Sequence, residues 1–141
     1  MKRKASAHWE GGLKDGRGAL SAPSGVLDKT PYSFRTRFED AKGTNPEELI
    51  AAAHAGCFTM AVSGQLAQAG LTAESLDTTA TLTMEPVDGK PTIKAVHLEL
   101  VARIPGASPE AFEKAAGAAK AGCPVSRVLN AEITLDAKLA G

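Results

Sequence analysis

The sequence has no excess of charge of either sign. Lys plus Arg and Asp plus Glu number 16 each, for a formal net charge of +0 and a pI near 6.8. Nucleic-acid binding normally shows as a basic surplus or stripe, and the one basic cluster here is "MKRK" at the N-terminus, a solvated tail. Also missing from the first twenty residues is the apolar stretch that a secretory signal needs. No apolar run approaches the roughly 20 residues that a bilayer demands. The longest, Leu49–Val62, contains His54 and Thr59. A soluble, cytoplasmic chain that binds neither membrane nor nucleic acid is expected. Its 141 residues suit one domain, residues 1–141, large enough to fold without staples.

Cysteine is scarce: the sequence holds 2, Cys57 in "AAAHAGCFTMAV" and Cys123 in "AKAGCPVSRV". In a reducing compartment a permanent structural disulfide is disfavoured, so a functional pair would be redox-active or metal-binding. The default for either residue alone is a small buried hydrophobe. His54 and Cys57 share a helix face at i, i+3, but nothing completes a four-ligand metal set. The same spacing offers a nucleophile and base for hydrolysis, with no third group to orient the base. His8 and His97 lie in strand-like segments and read as structural. Cys123 follows a helix stop, Gly122, and precedes Pro124. At such a position a thiol can be accessible, and a helix start lowers its pKa.

The chain reads as α+β. "ASAHWEGG", "GRGALSA" and "YSFRTRFED" read as short strands set off by Gly, Pro and Asp. In the last, Phe34, Thr36 and Phe38 alternate with Arg35, Arg37 and Glu39, which predicts a half-buried strand. A helix is predicted from Pro46 to Ala69: Asn45 caps, Pro46 takes the first position, Glu48 completes a capping-box pattern and Gly70 stops it. Some 24 residues give a length of about 36 Å, nearly the width of a domain with a radius of gyration of about 14 Å. This helix is apolar or small nearly all round and so needs burial on every side. A homodimer supplies the second cover, with Ala53, Cys57, Ala61 and Gly64 as a small-residue stripe for close approach. Beyond it, "ESLDTTATLTME", "VDGK" and "TIKAVHLELVARI" read as a hairpin. Ser108 and Pro109 open a helix that stops at Gly122, "CPVSRVLN" gives one or two helical turns, and "AEITLDAKLA" is a final strand.

Two stretches carry a resemblance. "RFEDAKGTNPEELIAAAHAGCFTMAV" and the distant "AKAGCPVSRVLNAEITLDAKL" resemble the OsmC/Ohr family, and specifically its OsmC branch. The similarity extends over nearly the whole chain, including "AHWEGGLKDGRG" and "GVLDKTPYSF". The resemblance implies an OsmC-like fold: antiparallel sheets wrapped around long buried central helices in an intertwined homodimer. It implies a thiol-dependent peroxidase that reduces organic hydroperoxides in oxidative stress defence, with no cofactor or metal. Residue by residue, Cys57 matches the peroxidatic cysteine, Cys123 the resolving one, Arg37 the site arginine and Glu47 the site glutamate. A dithiol reductant, lipoyl-type in the Ohr branch, is implied as well.

The chemistry fits those residue types. At a pKa of about 8.5 only about 3% of a thiol is ionised at pH 7, and burial within a helix pushes the wrong way. A cation must compensate. Arg37 stays protonated and stabilises charge on a departing oxygen, while Glu47 orients its guanidinium. Arg17 in "KDGRG" and Arg35 are the other candidates for the activating arginine. Glu47 lies about 15 Å along the helix from Cys57, so Arg37 bridges the gap or Glu47 comes from the other subunit. Oxidised Cys57 then condenses with Cys123, which requires Cα atoms within roughly 7 Å. Phe34, Phe38, Phe58, Met60 and Phe112 are candidate walls for an apolar pocket. The reading from another class is a non-catalytic apolar-ligand binder or a thiol redox sensor on the same fold.

Overall fold

Hydrogen bonding along the chain, in a computed structural model that describes residues 1–141, gives six strands and four helices. In order they are β1 (Ser6–Glu10), β2 (Arg17–Ser21), β3 (Thr30–Tyr32), α1 (Phe34–Phe38), α2 (Pro46–Gln68), β4 (Ser75–Val87), β5 (Lys90–Arg103), α3 (Pro109–Gly122), α4 (Pro124–Val128) and β6 (Glu132–Leu139). They fall into two units, Met1–Leu49 and Ile50–Gly141.

In the first unit β1, β2 and β3 form an antiparallel sheet in that order. Gly18 faces Trp9 on one side and Tyr32 on the other. A β-carbon there would lie 2.6 Å from the Trp9 ring and 2.5 Å from the Tyr32 ring, so only glycine lets the two rings meet edge to face, 5.5 Å apart.

The segment after β3 overturns the strand expected for "SFRTRFE": Phe34–Phe38 is helical. Ser33 caps it reciprocally. Its Oγ accepts from the Thr36 amide at 3.3 Å, and the Thr36 hydroxyl accepts from the Ser33 amide at 2.9 Å. Two i, i+4 pairs reinforce the turn, Phe34 against Phe38 at 4.9 Å and Arg35 to Glu39 at 3.2 Å. Phe34 and Phe38 share a face in either period, so alternation could not separate the two structures. Asn45 then starts α2 as expected. Its Oδ1 accepts from the Glu48 amide at 2.8 Å while its Nδ2 donates to the Thr36 carbonyl at 2.9 Å. The Glu48 carboxylate turns instead to the Thr44 hydroxyl, 3.2 Å away.

In the second unit the β4–β5 hairpin closes through Asp88 and Gly89, both at positive φ (52° and 76°), the turn chemistry of a two-residue hairpin. β6 joins the other side of β5 in parallel, because α3 and α4 carry the chain back across before it re-enters the sheet. Val96, Leu98, Leu100 and Ala102 on β5 alternate into a core shared with Phe112, Ala115, Ala116 and Ala119 of α3 and Phe58, Val62 and Leu66 of α2. At about 25 cal/mol per Å², burying each large side chain contributes roughly 1.5–3 kcal/mol.

Helix α2 is 23 residues long with a mean hydropathy of 1.3 over its most apolar window, long and apolar enough by composition to cross a membrane. Its stripe at i, i+4, i+8 and i+12 (His54, Phe58, Val62, Leu66) is buried in this core instead. Burial on every side is not reached within one chain. Ala53, Gly56 and Gly64 are exposed, and Met60 is 78% exposed.

Candidate functional site

Arg37 lies in α1 and Glu47 in the first turn of α2, and the link between them is short. Arg37 Nε donates to Glu47 Oε1 at 2.8 Å, and Nη2 lies 2.8 Å from the same oxygen as an ion pair. Charge-assisted hydrogen bonds of this kind are about twice as strong as neutral ones. The guanidinium also sits 5.1 Å from the Phe38 ring centroid, within cation–π range. Glu47 Oε2 is buried and has no partner in the chain. Beside the pair is a cavity of about 280 Å³ lined by Trp9, Leu13, Tyr32, Phe34, Arg37 and Phe38. The other arginine candidates are engaged on the surface, Arg17 with Glu10 at 3.3 Å and Arg35 with Glu39. Phe34 and Phe38 line this cavity as expected. Phe58 and Phe112 do not, since both are core residues of the second unit.

The second cluster is built from α2, α3 and α4. Cys123 is a joint: its amide donates to the Ala119 carbonyl at 2.9 Å and closes α3, while its Sγ accepts from the Ser126 amide at 3.3 Å and caps α4. Pro124 follows in the first helical position, where no amide hydrogen is required. Cys57, on α2, lies near enough to Cys123 for each thiol to shift the other's ionisation.

Their environments push them apart. Burial raises the Cys57 thiol above its ordinary value, the Val125 amide opposes that, and Cys123 adds to the rise. Burial also raises Cys123, but hydrogen bonds with the Ser126 hydroxyl and amide, with Cys57 and with the Val125 amide outweigh it and bring it below its ordinary value. The expectation that mid-helix burial disfavours a Cys57 thiolate therefore holds, and within its own unit no cation corrects it.

Sequence reasoning missed Ser126. Its hydroxyl lies 3.2 Å from Cys123 Sγ and 2.7 Å from His54 Nε2. His54 is fully buried, and its hydrogen bond goes to Ser126, which agrees with setting aside a Cys57–His54 nucleophile–base pair. No signal in the sequence joins His54 to Ser126 across 72 positions. No three His, Cys, Asp or Glu side chains converge as a metal-ligand set.

The profile of the OsmC-like protein family matches residues 39–138, a stretch that holds both cysteines, Glu47, His54 and Ser126. The chain is 53% identical over 139 residues to Peroxiredoxin OsmC of Escherichia coli (strain K12), covering 99% of this chain and 97% of that protein. Among solved structures it superposes on the organic hydroperoxide resistance protein OhrB of Bacillus subtilis with a TM-score of 0.71 at 23% identity, covering 96% and 98% of the two chains. An OsmC-like protein of Vibrio cholerae gives 0.78 at 18% identity, with 97% and 99% covered. Identity over nearly the full length, a family profile spanning most of the residues and a shared fold agree: the chain belongs to the OsmC family.

Proposed function

We propose that the chain is a thiol-dependent peroxidase that reduces organic hydroperoxides to alcohols and serves in oxidative stress defence. The observation that carries the reading is the proximity of the two thiols, close enough for each to shift the other's ionisation, on a chain 53% identical to a protein named Peroxiredoxin OsmC. A Cys57 thiolate attacks one oxygen of the hydroperoxide. The S–O bond forms, the O–O bond breaks, and the departing alkoxide takes a proton to become the alcohol. Cys57 is left as a sulfenic acid. Attack by Cys123 forms the disulfide and expels the oxygen as water, and an external dithiol, lipoyl-type as in the Ohr branch, returns both thiols by exchange.

In this reading Arg37 activates the Cys57 thiolate and stabilises charge on the departing oxygen, and Glu47 holds the guanidinium in place. Two features support a homodimer in which Arg37 and Glu47 of one subunit complete the site of the other. Glu47 Oε2 is buried without a partner, and the face of α2 bearing Ala53, Gly56, Met60 and Gly64 is uncovered in a single chain. In this reading residues 1–141 act as one domain, at work in the cytoplasm. The aromatic cavity beside Arg37 supports alkyl and aryl hydroperoxides as substrates in preference to hydrogen peroxide.

The test is a thiol count with peptide mapping, before and after one equivalent of cumene hydroperoxide, with hydrogen peroxide in parallel. Loss of both thiols to a Cys57–Cys123 disulfide, faster with the organic peroxide, is the expected outcome. Two free thiols and no trappable sulfenic acid would end the peroxidase reading and leave an apolar-ligand binder.

A further inference from the structure

Formation of the disulfide needs Cys123 to lose a proton, and Cys123 is only 1% exposed. Bulk water is not positioned to take that proton, so the protein must. We propose that Ser126 and His54 form a relay that withdraws the Cys123 proton during attack on the Cys57 sulfenic acid. Ser126 touches the reacting sulfur, and His54 is a positioning residue that acts through it. The inference rests on the peroxidase reading above and adds two residues to its second half-reaction.

The geometry is a continuous line. Cys123 Sγ lies 3.2 Å from Ser126 Oγ, which lies 2.7 Å from His54 Nε2. The Ser126 amide approaches the same sulfur at 3.3 Å, so one residue offers both a fixed donor and a rotatable hydroxyl to it. His54 Nδ1 is buried and faces no hydrogen-bonding group of the protein. A buried polar atom left unpaired costs about 1–3 kcal/mol and calls for an explanation. Here the consequence is chemical. A histidine tautomer is normally fixed by the partner of its other nitrogen, and with none at Nδ1, Nε2 is free to accept from Ser126 or to donate to it. Burial also lowers the basicity of His54, so the imidazole starts neutral, able to accept, and holds the proton only briefly.

The step balances. The Cys123 thiol proton passes to Ser126 Oγ as the hydroxyl's own proton passes to His54 Nε2. The thiolate attacks the Cys57 sulfur, the S–S bond forms, and the S–O bond breaks with its electron pair leaving on oxygen. The proton His54 releases is matched by the one that turns this hydroxide into water. The sum is one sulfenic acid and one thiol converted to one disulfide and one water.

The experiment follows the Cys57 sulfenic acid after one equivalent of cumene hydroperoxide, using dimedone trapping and intact mass, in wild type, Ser126→Ala, Ser126→Thr and His54→Asn. A relay predicts that Ser126→Ala and His54→Asn lengthen the sulfenic acid lifetime roughly a hundredfold, the scale of general acid–base assistance. Ser126→Thr, which keeps the hydroxyl, stays near wild type. Disulfide closure at the wild-type rate in Ser126→Ala would overturn the relay, as would a threonine variant as slow as the alanine one. Should His54→Asn not fold, the serine pair decides alone. A second readout needs no peroxide: in Cys57→Ser protein the ultraviolet thiolate absorbance of Cys123 titrates at higher pH once Ser126→Ala is added. An unshifted titration overturns the relay even if wild type proves inactive toward peroxide, an outcome that would itself count only against the peroxidase reading.

Discussion

The Arg37–Glu47 pair and the Cys57–Cys123 pair are held by opposite means. The first is charged and lies on short-range scaffolding: a reciprocal cap on a helix of one turn, an aromatic ring under the guanidinium, and a glutamate at the next helix start. Arg37 keeps 40% of its side chain in solvent. The second pair is built on three helices, with Cys123 buried and Cys57 half-buried, and its polar company is amides, a hydroxyl and an imidazole. Each has what the other lacks. The thiols have nucleophilic sulfur without a cation, and burial holds the Cys57 thiol above its ordinary pKa. The arginine has a fixed charge and an apolar cavity with nothing there to react. On the proposed site, ionisation of Cys57, and not the proximity of the thiols, is what Arg37 should supply.

The largest effect tests whether the chemistry belongs to the thiol pair. Cys57→Ser should lower hydroperoxide consumption by about 10³-fold or more, as loss of a nucleophile does, with the unfolding midpoint nearly unchanged. Next comes the charge. Arg37→Ala should cost roughly 10²–10³-fold in kcat/KM, and Arg37→Lys should recover only part of it, since an ammonium keeps the charge and loses the fork. An Arg37→Ala enzyme of full activity would separate the two regions altogether. Third is the question of which chain each region serves. Mixed dimers of Glu47→Ala with Cys57→Ala subunits should keep about half of the wild-type activity per dimer if sites combine subunits, because one complete site survives. No activity would place Glu47 and Cys57 of each site in one chain.

The smallest effect concerns His54 and acid. Burial holds its pKa below the ordinary 6.5, so the folded state binds the proton less well than the unfolded chain. The stability this provides is complete above about pH 6.5 and drains as pH falls toward the lower folded value, at up to about 1.4 kcal/mol per pH unit. Urea midpoints measured from pH 7.5 to 5 should show that slope in wild type and a shallower one in His54→Gln. Comparing slopes removes any constant cost of the substitution.

Much of this molecule is legible where local chemistry decides. Asn45-Pro46 and Ser108-Pro109 mark helix starts because a cap and a missing amide act within four residues. Asp88-Gly89 marks the hairpin because positive φ is a property of those residues. The failure at Phe34–Phe38 has the same local origin. Threonine takes the place of the usual Glu or Gln in the cap, so the signal was there in unfamiliar form. The family motif pointed to Cys57, Cys123, Arg37 and Glu47, but no pattern within the sequence reports that Ser126 meets His54 or that Phe58 and Phe112 are core. Those contacts are made by packing three helices on a sheet, and spacing along the chain does not encode them.

Cys123 is the terminal residue of one helix and the cap of the next, and its sulfur is an acceptor in that cap. A sulfur committed to a disulfide is a poorer acceptor than a thiolate. On the proposed cycle, closing the bond should weaken the cap on the first turn of α4, and reduction should restore it. In that reading the firmness of a single helical turn follows the oxidation state of the thiols.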